Sequence, residues 1–194
     1  MGWLKNREKL HEAAISSIKA ISKNKDLSSK NGIAQRPPSK NQASISSTPR
    51  SSKDLSSWRG ESDFQAFWHL HHRNNKEVAL TLPARMVFNE LEMSRVEILG
   101  SNEYKGAKKN IIEYLEAKSI NMDDEKSPNF LALCSNLWLK DCLGMQLSPA
   151  SKKLLENFEN KYSSIDLELV KNKFIENIAD QNIFEKISLD FLRK

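Results

Sequence analysis

Apolar residues recur along this chain at spacings of three, four and seven, the pattern of helices that bury one face. In residues 3–22, Trp3, Leu10, Ala14, Ile18 and Ile21 fall near one side of an amphipathic helix. Residues 23–57 lose the pattern. The stretch KNQASISSTPRSSKDLSS is rich in Ser and Lys, includes Pro, offers almost nothing to bury, and predicts a flexible linker. Periodicity returns at Trp58, with Phe64, Phe67, Trp68 and His71 on one side of a helix within Glu61–Arg73. A short apolar piece, Val78–Leu82, leads to Pro83, which suits a first helical turn because its missing N–H would have no partner there anyway. That helix is predicted to reach about Leu99 and to stop at Gly100, read as the residue after the cap.

The next helix spans roughly Tyr104–Lys118, with Ala107, Ile111, Tyr114 and Leu115 inward. Ser127-Pro128 and Ser148-Pro149 each place a capping hydroxyl before a Pro at the first helical position. The first pair opens Asn129–Leu147, apolar on most sides and expected to be the central, most buried helix; the second opens a helix carrying Leu154, Leu155, Phe158 and Tyr162. Ser163 and Asp166 have capping-box spacing before a helix with Leu167, Val170, Phe174 and Ile178 on one face. A last helix carries Ile183, Phe184, Ile187 and Phe191. No internal repeat and no convincing sheet is evident. The expected fold class is all-α, with an N-terminal helix (1–22), a basic flexible linker (23–57) and a compact multi-helix domain (58–194).

Composition supports this reading: six Gly and six Pro in 194 residues leave few helix breakers. No run approaches the roughly 18 apolar residues of a membrane span, and the first ten residues lack the apolar stretch of a secretory signal. The net charge of +5 is unevenly placed, because residues 1–60 hold 12 Lys+Arg against 4 Asp+Glu. A basic arm of this kind can contact nucleic acid or an acidic protein segment, although it has few aromatics to stack on bases. Cys134 and Cys142 are eight apart, about 12 Å along one helix, too far for a disulfide, so free thiols in a reducing cytoplasm are expected.

Candidate chemistry is sparse. Gly100 to Lys108 contains two glycines and lysines, but its spacing is not that of a phosphate loop and no apolar strand precedes it. No Ser-His-Asp or Cys-His set can be argued, so no catalytic residue is expected. His69 and His72, three apart on a helix, are weak metal candidates that would need Asp63 or Glu61 as a third ligand. Arg95 lies on an apolar face beside Leu91, Ile98 and Leu99, where an unpaired charge is costly. It must pair, with Glu92 three positions before it or with Asp63 or His71 of the neighbouring helix, or else snorkel to solvent. Glu97 is expected to point roughly opposite, free to face a partner.

Pro83–Ile111 resembles the most recognisable stretch of cobaltochelatase CobT subunits, a helix of the form A-R-x-x-[FY]-[DN]-x-x-E-x-x-R-[VIC]-E-x-[LI]-G followed by a second helix. Ala84, Arg85, Phe88, Asn89, Glu92, Arg95, Val96, Glu97, Leu99 and Gly100 carry the match. Glu8–Ile21 is similar to the family's opening helix, Arg59 to Asp63 with His71-His72 to its R-G-x-x-D … H-[DH] helix, and Ile178 to Gln181 with Phe184 to its D-Q-x-x-F closing helices. Arg73-Asn74 departs from the acid the family often has after its His.

The resemblance implies a non-catalytic subunit of the bacterial aerobic, ATP-dependent cobaltochelatase, a nitrogen–metal ligase of cobalamin biosynthesis. Its implied partners are an AAA+ ATPase subunit and the large chelatase subunit, with a homo-oligomer inside the complex and no membrane. ATP, Mg²⁺ and Co²⁺ are implied only for the whole complex, the cobalt as substrate for insertion into hydrogenobyrinic acid a,c-diamide. Arg59, Asp63, His71, His72, Arg85, Glu92, Arg95 and Glu97 are the implied interaction or structural residues. The family continues into a von Willebrand factor A-like domain whose Asp-x-Ser-x-Ser motif holds Mg²⁺. Here only the incomplete Asp26-Leu-Ser28 and Asp54-Leu-Ser56 runs occur, so a fragment or shortened relative is expected. The alternative reading is a nucleic-acid-binding or general interaction domain.

Overall fold

Both Ser-Pro pairs start helices as their chemistry predicts. In the computed structural model, which describes residues 6–49, 51–73, 79–122, 124–162 and 167–193, Ser127 accepts a hydrogen bond from the Asn129 N–H and Ser148 from the Ser151 N–H. Each cap satisfies one of the orphan donors at a helix start. The helices in chain order are α1 (Arg7–Ile21), α2 (Leu55–His71), α3 (Leu82–Glu103), α4 (Lys105–Ile120), α5 (Pro128–Cys142), α6 (Pro149–Lys161), α7 (Glu168–Glu176) and α8 (Gln181–Leu192). Helix accounts for 69% of the described residues, confirming the all-α class apart from one small sheet. Trp3, Val78, Ser163 and Asp166, used in the sequence reading, lie outside the described residues.

Three sequence expectations change. Residues 23–57 hold two short parallel strands, β1 (Ser28–Gly32) and β2 (Gln42–Ser46), with Ser28 opposite Gln42 and Gly32 opposite Ser46. Leu27, Ala43 and Ile45 from residues 23–57 are buried with Ile18, Trp58 and Ala66, and two of them, Ala43 and Ile45, come from the stretch read as having almost nothing to bury. Arg36 is also tied down, its guanidinium 3.9 Å from the centre of the Phe64 ring. Second, α3 does not stop at Gly100 but continues to Glu103. Third, α5 ends at Cys142 rather than near Leu147. Its stop is a left-handed Gly144 (φ 69°), with Gly144 N–H bonded to Asp141 C=O and Met145 N–H to Lys140 C=O. That pair of bonds is the Schellman closure.

The chain divides into two units. The first comprises residues 1–73 and 100–115, the second 74–99 and 116–194. In the first, α1, α2, the strands and most of α4 enclose Ile18, Leu27, Ile45, Phe64, Phe67 and Ile111. In the second, α5 is the buried rod: Phe130 and every residue from Ala132 to Lys140 are buried. Trp138 meets Phe174 edge-on at 5.8 Å, and Phe174 tilts against Phe184 at 5.0 Å, which fixes α7 and α8 beside α5.

Candidate functional site

In the first unit, the segment Arg59 to Asp63 faces α4. Gly60 is required there: a Cβ on it would stand 2.2 Å from the Asn110 carbonyl oxygen, so only glycine allows the two backbones to approach. One turn on, Asp63 Oδ2 accepts a hydrogen bond from Asn110 Nδ2 at 2.8 Å. Burial pushes the Asp63 carboxyl above its usual range, while the Asn110 bond and the Arg59 charge pull it back. Arg59 and Asp63 line a cavity of about 190 Å³ between α1 and α2, walled mainly by Leu10, Ala14, Ile18 and Trp58. The cavity has one acid, Asp63, one cation, Arg59, and two hydroxyls, Ser17 and Ser62, in otherwise apolar walls, with no His, Cys or Lys among its lining residues.

The histidines do not converge. His72 stacks its ring on Trp68, centres 3.9 Å apart, and His71 Nε2 lies 3.6 Å from Glu103 Oε1. His69 makes a hydrogen bond to the Gln42 backbone, and its Nε2 is buried with no hydrogen-bond partner. Burial lowers its pKa from 6.5, against the Gln42 bond and with the nearby His72. Among the described residues, no three of His, Cys, Asp and Glu are placed to hold a metal ion.

In the second unit, α3 carries two buried ion pairs. Arg95 forms two hydrogen bonds with Glu92, Nε to Oε2 at 2.7 Å and the second amino group to Oε1 at 2.8 Å. Its remaining amino group points at the Ile178 carbonyl, 3.4 Å away near the end of α7. Of the three partners considered from sequence, Glu92 is the one found; Asp63 is bonded to Asn110 and His71 faces Glu103. Forked Arg–carboxylate geometry is the arrangement in which a buried guanidinium is best satisfied. Glu97 corrects the sequence reading: it is wholly buried, its Oε2 2.6 Å from the equally buried Lys140 Nζ. Arg85 is exposed near the start of α3.

Lys140 and Asn110 were missed from sequence. Lys140 had a signal, since a cation inside the most apolar helix must find a buried anion. Asn110 had none, because nothing in its neighbourhood sets one exposed-looking amide apart from another. Asp180, inside the D-Q-x-x-F match, caps α8 by accepting from Asn182 and Ile183 N–H. The motif residues thus serve helix contacts, caps and ion pairs.

No curated protein matches the chain, and no solved structure does. The model of one family, described as cobalamin biosynthesis protein CobT, matches residues 4–193. That span takes in the Arg59–Asp63 turn, both ion pairs of α3 and the Asp180 cap, and the chain therefore belongs to the CobT family of cobalamin biosynthesis proteins.

Proposed function

We propose that this chain is a non-catalytic assembly subunit of the aerobic, ATP-dependent cobaltochelatase. It docks an AAA+ ATPase subunit and the large chelatase subunit, and couples ATP hydrolysis in the former to insertion of substrate Co²⁺ into a corrin on the latter. The observation that carries the reading is the family match across 4–193. It is supported by how that match is spent: Asp63, Glu92, Arg95 and Glu97 satisfy one another or their neighbours inside the units. A subunit that transmits force needs such rigid elements more than it needs a reaction pocket. In this role the chain works in the cytoplasm, binds no cofactor of its own, and associates with further copies of itself inside the complex. Arg59, His72 and Arg85, which reach the surface in part or whole, are the contact candidates.

The test is co-elution of the purified chain with the AAA+ subunit and with the large subunit, each with and without ATP and Mg²⁺. A stable complex with the ATPase is expected. Separate elution from both subunits under every condition would remove the proposal.

A further inference from the structure

We propose that the cavity between α1 and α2 binds a free amino acid with a large apolar side chain, its carboxylate on Arg59, its ammonium on Asp63 and its side chain between the helices. The inference stands apart from the chelatase reading, because it depends only on this cavity of the first unit and is tested on the chain alone.

The cavity holds about 190 Å³. An apolar cavity of about 150 Å³ already takes a benzene ring, so a branched or aromatic side chain fits this one. Its walls suit such a group: Leu10, Ala14, Ile18 and Ile21 of α1 lie opposite Trp58 and Ala66 of α2. Ala13, Ser17 and Arg59 also line it, and all three are exposed, so the cavity opens to solvent on their side.

Two charges of opposite sign enter this lining, Arg59 and Asp63. They are four apart on α2, and residues so spaced are neighbours on a helix surface. Neither is used up by the other. Asp63 Oδ2 takes the Asn110 bond, while its Oδ1 receives no hydrogen bond from the described residues. Arg59 forms no hydrogen bond or ion pair among the described residues, although its charge acts on Asp63. A simple anion drawn to Arg59 would meet the Asp63 carboxylate, and a simple cation drawn to Asp63 would meet the guanidinium. A ligand that carries both charges complements both. A free amino acid holds its carboxylate, its ammonium and its apolar group on one carbon, whereas the end of a peptide carries one charge only. A few polar groups set in an apolar wall are what orient a small ligand.

Equilibrium dialysis of the full chain against labelled L-leucine and L-phenylalanine measures the site. Three further probes each lack one feature: glycine the apolar group, isocaproate the ammonium and isoamylamine the carboxylate. At least one of the two amino acids is expected to bind, and each truncated probe to bind about tenfold more weakly or worse. Arg59→Gln, at an exposed position, is expected to weaken binding about tenfold with the helical circular dichroism unchanged. Ala13→Phe, at another exposed lining position, obstructs the mouth and is expected to abolish binding. Saturation-transfer NMR on the unaltered chain supplies a check that needs no variant: the side-chain protons of the amino acid receive the transfer, and glycine receives none. No binding of either amino acid at millimolar concentration, any truncated probe binding as tightly as the better amino acid, or unchanged binding by the Arg59→Gln chain would each overturn the proposal.

Discussion

The ammonium of Lys140 lies 2.6 Å from Glu97 Oε2, and neither side chain reaches solvent. Two further acceptors, Asn136 Oδ1 at 2.6 Å and Ser94 Oγ at 3.1 Å, take up the rest of its donor capacity. A buried pair of this kind is worth little against an apolar pair of the same volume, but removing one member strands the other's charge. Lys140→Met is therefore expected to destabilise the chain by about 3–5 kcal/mol. Adding Glu97→Leu should recover a large part of that loss. Urea unfolding of both single variants and the double variant gives the coupling directly, and strict additivity would contradict it.

Two glycines should respond to alanine with the opposite sign to that of an ordinary helical glycine. In an exposed helix interior, Gly→Ala stabilises by about 1 kcal/mol. A Cβ on Gly100, inside α3, would stand 2.1 Å from Cγ of the Phe67 ring, and one on Gly60 would stand 2.2 Å from a backbone oxygen. Gly60→Ala is expected to be the more damaging, since the Asn110 carbonyl belongs to α4 and cannot rotate away as a ring can. Thermal unfolding should show losses of at least about 1–3 kcal/mol for each. Truncating Phe67 to Leu should relieve Gly100→Ala and leave Gly60→Ala unimproved.

Gly100 and Gly144 also show where sequence reading reached its limit. Both follow an apolar run, and a glycine after such a run reads as a helix stop. Gly144 is that stop. Gly100 is a packing glycine, and its partner Phe67 lies 33 positions away. The helices, the two Ser-Pro caps and the buried character of α5 were legible because each rests on local periodicity or on neighbours in sequence. The strands were not: SSKNG has no apolar residue, and QASIS alternates polar and apolar over only five residues inside a Ser-rich stretch. β2 is held by Trp58, Gln65 and His69, contacts that periodicity cannot foresee. At the candidate site the same division holds. Arg95 with Glu92, three apart, was readable, whereas Glu97 with Lys140 joins two helices and reversed the expected direction of Glu97.

His69 should give the stability of the first unit a pH dependence. Its pKa is lowered from 6.5, chiefly by burial, and its buried Nε2 has no acceptor for a second proton. On acidification the unfolded chain therefore takes up the proton first. The stability associated with the neutral ring is complete above pH 6.5 and is lost as the pH falls from 6.5 through the lower folded value. Denaturant midpoints measured between pH 7.5 and pH 5 should fall, and His69→Gln should flatten this part of the profile. A midpoint in the unaltered chain that rises with acid over that window would contradict the assignment.

The two thiols should be inert in the folded chain. Burial pushes Cys134 up to about 12 and Cys142 up to about 11; for Cys142 the neighbouring Lys171 opposes the shift, while Asp141, Glu168 and Glu159 add to it. Alkylation requires the thiolate, so at pH 8 each folded thiol carries far less reactive form than a free cysteine with a pKa of about 8.5. Brief iodoacetamide treatment at that pH should leave the native chain unmodified, and in urea should add two carbamidomethyl groups by mass spectrometry. Cys142 is the more exposed of the two and nearer to a cation. If either thiol reacts on longer native exposure, it should be Cys142 before Cys134. The reverse order would mean that α5 opens at its buried centre more readily than at its Gly144 end.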